Sequence, residues 1–273
     1  MERTQKDKVI IITGATGSMG IEATREMSRR GYTVIMACRN PGKAEAMRTQ
    51  VIQTQPAAHI EVHPLDLSSL ASVRQFADNL HERPIDALFC NAGILAHSHS
   101  LSPDGYETDI ATNYLGNALL CELIVPHMPQ GSHIVNMVSL TTKYAHISPD
   151  WPHWKPSQFT RLGTYGSSKL ALLYYTISLA RRNPHLYVNV SDPGIVDSSM
   201  ITMGKWYDPL ADIFFRPFIK PPIQGVQPAL SALQSTNTLR YYVGKKQDPI
   251  SKRFQDSPLV ETLWEQLRQI INV

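Results

Sequence analysis

Three isoleucines behind a valine, Val9-Ile10-Ile11-Ile12, run straight into Thr13-Gly14-Ala15-Thr16-Gly17-Ser18-Met19-Gly20. A helical stretch follows that reaches Arg30 and stops at Gly31. A short unbroken apolar run suits a strand covered on both faces, and a glycine after the last periodic residue ends a helix. Strand, glycine-rich turn and helix in this order form the opening unit of a doubly wound α/β sheet. In that unit glycines let the backbone approach a pyrophosphate, whose charge rests at the helix N-terminus. Gly14, Thr16, Gly17, Ser18, Met19 and Gly20 are therefore expected to bind a dinucleotide. The plain alternative is a tight turn with no ligand, and the place directly after the first strand favours the nucleotide.

The second strand, Thr33-Val34-Ile35-Met36-Ala37, ends in Cys38-Arg39-Asn40 with Lys43 close by. A site for NAD usually offers an acid about 20 residues beyond the glycines, bonded to the ribose 2′-hydroxyl. No acid stands here. A guanidinium can hold a 2′-phosphate by two charge-assisted bonds, where a carboxylate would repel it. Arg39 and Asn40 thus point to NADP(H) over NAD(H), against the alternative of a solvated surface arginine.

Alternation continues to the end of the chain. Helices are expected over about 42–54, from Ser68 or Ser69 to His81, 104–128, 165–183, 226–236 and 259–271. Strands are expected over 59–65, 85–90, 133–138, 187–191 and 241–243. Asp66 and Leu67 end the third strand, Asn91-Ala92-Gly93 the fourth, Ser139 the fifth and Pro193-Gly194-Ile195 the sixth. Ligands of open parallel sheets gather at that edge. Asn113 falls inside a predicted helix, where an amide that competes with the backbone marks either exposed filler or a local break. Without repeats or linker-like tracts, residues 1–273 read as one three-layer α/β/α domain of the Rossmann type, mostly parallel.

Tyr165-Gly166-Ser167-Ser168-Lys169 opens an apolar helical run. Tyrosine and lysine four apart share a helix face. The ammonium favours the phenolate and makes the phenol usable as a proton donor or acceptor near neutrality. The spacing recurs at Tyr241/Lys245 and Tyr242/Lys246, but there a strand and a Gly turn separate the partners.

A net charge of +3 without a basic stripe gives no reason to expect nucleic acid. Cys38, Cys90 and Cys121, an odd number with no close pair, suit reduced thiols in a cytoplasmic protein. The polar first residues resemble neither a signal peptide nor a membrane anchor, and no apolar run reaches the roughly 20 residues of a spanning helix. His97 and His99 lack partners at ligand spacing, so no metal is expected.

With Gly14, Asn91-Ala92-Gly93, Ser139 and Pro193-Gly194 placed around Tyr165 and Lys169, the chain resembles the short-chain dehydrogenase/reductases, over nearly its whole length. Ala37-Cys38-Arg39-Asn40, Leu65-Asp66-Leu67, Asn113-Tyr114-Leu115-Gly116 and Leu263-Trp264 are most similar to the branch of the retinol dehydrogenases and the WW-domain oxidoreductase. One departure concerns the glycines: the common pattern is Thr-Gly-x-x-x-Gly-x-Gly, and here Ser18 takes a glycine's place while Gly17 precedes it. The resemblance implies Tyr165 as general acid/base, and Lys169 lowering its pKa and bonding the nicotinamide ribose. It implies Ser139 on the substrate oxygen and Asn113 holding a water that links Lys169 to solvent. Asp66 would contact the adenine, Asn91 its ribose, and Pro193-Gly194-Ile195 with Ser198 the carboxamide. It also implies dimers that pack the helices over 104–128 and 165–183.

Residues 140–164 carry Tyr144, Trp151, Trp154 and Phe159, and residues 197–224 carry Met200, Met203, Trp206, Tyr207, Phe214, Phe215 and Phe218. These suggest a lid over an apolar pocket; the plainer reading is loops anchored to the core. The expected function is NADP(H)-dependent interconversion of an apolar alcohol and its aldehyde or ketone. A catalytically silent NADP(H) sensor or interaction protein of the same fold is the alternative, and the intact Ser139/Tyr165/Lys169 set argues against it. Lys205, Arg216 and Lys220 among aromatics allow peripheral docking at a membrane.

Overall fold

In the computed structural model, residues 8–148, 151–152, 156–196 and 220–272 are described. Ser198 and nearly all of the second aromatic segment, including Lys205 and Arg216, lie outside the described residues. Eight strands form one sheet in the order β3-β2-β1-β4-β5-β6-β7-β8. They are β1 (Val9–Thr13), β2 (Thr33–Cys38), β3 (His59–Pro64), β4 (Ala87–Cys90), β5 (His133–Met137), β6 (Tyr187–Asp192), β7 (Arg240–Val243) and β8 (Lys246–Pro249). The first seven run parallel, and β8 turns back antiparallel through Gly244, whose φ of +56° suits glycine. The sequence reading did not include β8. Its Lys-Gln-Asp-Pro is exposed throughout and lacks the apolar alternation that marks a strand. Polar side chains and a terminal proline on such an edge also discourage pairing with another sheet.

Alternate residues of the buried strands feed two apolar layers. On one face Ile10, Ile12, Val34 and Met36 pack under α1 (Ser18–Arg29), α2 (Pro41–Thr54) and α7 (Pro222–Ala232). On the other, Ile11, Ile35, Leu88, Ile134 and Val188 meet α3 (Leu70–Asp78), α5 (Gly116–Ile124) and α6 (Arg161–Arg182). The strand order reverses between β1 and β4, which is where such sheets open a crevice.

Four helices depart from the sequence reading, among them α7, expected over 226–236 and found at Pro222–Ala232. Ser69, not Ser68, caps α3 by accepting from Ser72 N, and that helix ends at Asp78. Helix α6 begins at Arg161, so Tyr165 sits a turn inside it. The expected helix over 104–128 is composite: α4 (Thr108–Ile110), a π-helical turn (Ala111–Leu115), then α5 and a 3₁₀ turn (Val125–His127). Asn113 lies fully buried in the π turn, so the local-break reading is the correct one and the exposed-filler reading is not. The wider turn alters the carbonyl partners, and Asn117 Nδ2 donates to the Thr112 and Asn113 carbonyls at 3.0 and 3.2 Å. Gly116 lets α5 come down onto the end of β3, since a Cβ there would lie 2.0 Å from the Leu67 oxygen.

The C-terminal segment closes over the second layer. After α8 (Lys252–Gln255), α9 (Leu259–Ile271) lies along α6. Trp264 stacks on Tyr175 with ring centroids 6.1 Å apart. The Arg182 guanidinium lies 4.3 Å over the same indole and donates to Glu261 at 2.6 Å. The Tyr114 hydroxyl donates to the Leu263 carbonyl at 3.3 Å, tying the π turn to α9. Among the described residues, no helix is long and apolar enough to cross a membrane.

Candidate active site

The glycine turn comes first in the chain and at the site. Gly14 takes φ +62° and passes so close to β4 that a Cβ would lie 2.9 Å from the Ala92 Cα. Gly17 N donates to the Gly14 carbonyl at 2.9 Å, and Gly17 then stands as the N-cap of α1. A Cβ on Gly20 would strike the Gly14 oxygen, so this glycine serves helix-to-loop packing. No side chain caps α1, whereas Asn40 caps α2 through Lys43 N and Ser69 caps α3. The first N–H groups of α1 are left for an anion.

In front of them lies a cavity of about 270 Å³, lined among others by Gly14, Thr16, Gly17, Ser18, Met19, Arg39, Asp66, Leu67, Asn91, Ala92 and Gly93. Gly20 and Asn40, expected with this set, are not in its lining; the Asn40 oxygen is engaged as a cap. Thr13, Cys38, Ile94 and Thr112 line it and were not read from the sequence. Asp66 Oδ1 accepts from both Ser68 N and Ser68 Oγ, which fixes the carboxylate at the cavity wall. Asn91 Nδ2 donates to the Thr13 and Gly14 carbonyls at 2.9 and 3.2 Å, clamping the glycine turn to β4. Its Oδ1 is buried with no partner, a free acceptor for a hydroxyl donor. With the uncapped α1, the Gly14 cradle and exposed Arg39, the residues fit a dinucleotide.

Beyond Gly93 lie the candidate reacting groups. A Cβ on Gly93 would lie 2.9 Å from Lys169 Nζ and 3.1 Å from Asn113 Oδ1, so only a glycine fits between them. Asn113 accepts from Ile94 N at 2.8 Å, and its Nδ2 donates to the Ile94 carbonyl and Ser168 Oγ at 2.9 and 3.0 Å. Ser139, at the end of β5, hydrogen-bonds the Tyr165 phenol. Burial pushes that phenol up to about 12; the Ser139 bond pulls it down, and the Asp192 and Asp109 carboxylates push it up. Lys169 is buried, donates to the Met137 carbonyl at 2.9 Å and is lowered by burial to about 8. The sequence reading aimed its ammonium at the phenolate; here the ammonium is turned to a carbonyl, the acceptor a desolvated cation requires.

At the end of β6, Asp192 accepts from Gly194 N at 2.9 Å and from the Tyr241 hydroxyl at 2.8 Å, which fixes the turn of Pro193-Gly194-Ile195. Lys220 Nζ comes to 3.2 Å of where a Gly194 Cβ would stand. Exposed Leu140 follows Ser139, Tyr144 ends the short turn after it, Leu162 lies in the first turn of α6 and Ile195 follows Gly194. Among the described residues, no group of His, Cys, Asp and Glu is placed to hold a metal. Asp109, buried one helical turn before Asn113, was not singled out from the sequence; its four-residue spacing from Asn113 was the available signal.

The profile of the short chain dehydrogenase family matches residues 8–205. Human retinol dehydrogenase 13 is 28% identical over 97% of this chain and 85% of its own length. Human retinol dehydrogenase 14 is 31% identical over 94% of this chain and 84% of its own. A solved structure of an uncharacterized protein from Mycobacterium paratuberculosis superposes with a TM-score of 0.78 at 29% identity, covering 97% of this chain and 94% of that one. On that match the chain belongs to the short-chain dehydrogenases, most like their retinol dehydrogenase branch, as an oxidoreductase of nicotinamide cofactors.

Proposed function

We propose that this chain is an NADP(H)-dependent oxidoreductase that interconverts an apolar alcohol and its aldehyde or ketone. The observation that carries the reading is the hydrogen bond of Ser139 to Tyr165, one helical turn from Lys169, which with Asn113 stands against Gly93 of the cavity wall. When bound, the nicotinamide supplies or accepts the hydride. In reduction Tyr165 gives its phenolic proton to the carbonyl oxygen, and in oxidation it takes the proton from the alcohol. Ser139 donates to the same oxygen and stabilises its developing charge. Lys169 places a cation beside that charge and bonds the ribose, while Asn113 holds the Ile94 turn and, through its backbone, a water on the path to solvent. Asp66, Leu67, Asn91, Ala92 and Gly93 hold the adenosine half; Gly14, Thr16, Gly17, Ser18, Met19 and Gly20 form the pyrophosphate turn. Arg39 with Asn40 selects the 2′-phosphate, and Pro193, Gly194, Ile195 and Ser198 position the carboxamide. The exposed Leu140, Tyr144, Leu162 and Ile195 support an apolar substrate.

Two further elements belong to this reading. The unbridged Cys38, Cys90 and Cys121 support a cytoplasmic site of action. Because α9 already covers the outer face of α6, a four-helix dimer through α5 and α6 is not part of the proposal; sedimentation of the purified protein at its monomer mass is the expected result.

The test is titration with NADPH and with NADH, followed by a panel of apolar aldehydes and ketones read at the nicotinamide absorbance. Tyr165→Phe is expected to abolish turnover and leave NADPH binding within about twofold, since the ring is kept and only the proton is lost. Arg39→Ala is expected to weaken NADPH by roughly 10- to 100-fold and leave NADH unchanged, the loss of a charge-assisted pair. Binding without turnover across the panel would instead support the sensor reading, and tighter NADH would overturn the role of Arg39.

A further inference from the structure

Asp109 is buried to zero exposure in α4, where carboxylates are rarely left without a purpose. Its Oδ1 accepts from Ala96 N at 2.9 Å, just as Asn113, one turn later, holds Ile94. Its Oδ2 is buried without a hydrogen-bond partner. The turn it grips begins at Gly93, against which Lys169 Nζ is packed. Helix α4 lies on α6, whose Arg161, Tyr165 and Lys169 repeat every four residues along one face. Each group here feels the others: Asp109 the charges of Glu107, Lys169 and Arg161; Lys169 those of Asp109 and Cys90; Tyr165 those of Asp192 and Asp109.

We infer that Asp109 is the internal counter-charge of Lys169, a positioning residue that keeps the buried ammonium protonated in the working range of pH. An isolated ammonium in this interior sheds its proton, because burial disfavours the charged form. The Asp109 carboxylate opposes that loss of the Lys169 proton. The carboxylate in turn, pushed by burial up to about 7, is drawn back toward ionisation by Lys169 and Arg161. The two charges sustain each other, and neither is explained by the Ala96 contact, which an amide oxygen would satisfy equally well.

This inference rests on the reading of Lys169 as the working cation, and its test does not require turnover. The protein is labelled with ¹³C at lysine and aspartate, and the Lys169 Cε and Asp109 Cγ resonances are followed against pH. Asp109→Asn keeps an oxygen for Ala96 N and removes only the charge. It is expected to lower the Lys169 midpoint by about one pH unit or more, the effect of an opposite charge at close range. In Lys169→Met the Asp109 midpoint is expected to rise, since coupling between two sites is reciprocal; this arm stands if the first variant does not fold. A Lys169 midpoint unchanged in Asp109→Asn, or an Asp109 midpoint unchanged in Lys169→Met, overturns the inference and leaves Asp109 as a loop anchor. If the carbonyl panel also shows turnover, the alkaline limb of kcat in Asp109→Asn moves to lower pH; a coupled pair in a protein without turnover removes the proposed activity and not the pair.

Discussion

Asp109 and His133 are buried ionisable groups whose proton affinities the fold shifts in opposite directions, and they act on stability in opposite directions. Burial raises Asp109 from 3.8 to about 7 and lowers His133 from 6.5 to about 4, Lys8 adding to the second. Between those values the folded state keeps a proton on Asp109 that the unfolded chain has released, so stability falls as pH rises from about 4 to about 7. His133 does the reverse: the unfolded chain binds a proton that the folded imidazole refuses, so stability falls as pH drops from about 6.5 to about 4. Over the shared window the two slopes largely cancel. Asp109→Asn removes the Asp109 slope and leaves that of His133 unopposed by it. The variant is expected to match the wild type near pH 4 and to exceed it above pH 7 by at most about 4 kcal/mol, at 1.36 kcal/mol per unit. Urea melts of both proteins at a series of pH values check this, and a difference that does not grow with pH contradicts it. Gly116 supplies a steric counterpart: Gly116→Ala is expected to cost on the order of 2 kcal/mol or more, because its Cβ meets a backbone oxygen that cannot move aside. Gly14 was legible in the sequence because turn chemistry is local. Gly116 and Asp109 were not, because their reasons lie at Leu67, past the end of β3, and on α6.

Among the elements, seven of the eight strands were read to within two residues, since an apolar run buried on both faces carries its own signal. The helices were less faithful. The first turn of α6, Arg161-Leu162-Gly163-Thr164, mixes charge, glycine and polar residues, and the apolar pattern only begins after Tyr165. The π turn leaves no mark in hydrophobic periodicity; Asn113 was the sole hint, and it allowed two meanings. Its support comes from Asn117, whose amide satisfies two carbonyls. Asn117→Leu, similar in size, is expected to destabilise the protein by about 1–3 kcal/mol, the cost of buried acceptors left unpaired. Because Asn113 holds Ile94 from the same turn, that variant should also weaken NADPH binding more than Gly116→Ala does. Parallel melting and cofactor titration of the two separates a local loosening of the site from a general loss of stability.

At the scale of the molecule, fold class and the edge where ligands gather follow from the order of strands and turns. What covers α6 did not. The amphipathic pattern of α9 shows that it buries one face and is silent about the partner, and relatives pointed to a second subunit. Within the chain, Trp264, Leu263 and Leu267 of α9 join the core that holds the buried face of α6. Trp264→Ala is expected to cost roughly 3–5 kcal/mol, and to promote self-association as the Tyr175 face opens, which melting and light scattering would report. The arrangement has a consequence for biosynthesis. Helix α9 is translated long after α6; at 5–20 residues per second the wait from Arg182 to Leu259 is about 4–15 s. Throughout that interval the nucleotide half can already be folded while the tyrosine-bearing helix shows an unclosed apolar flank. Nascent chains stalled before residue 259 should therefore engage hydrophobic-binding chaperones, and release of the final helix from the ribosome should end that engagement.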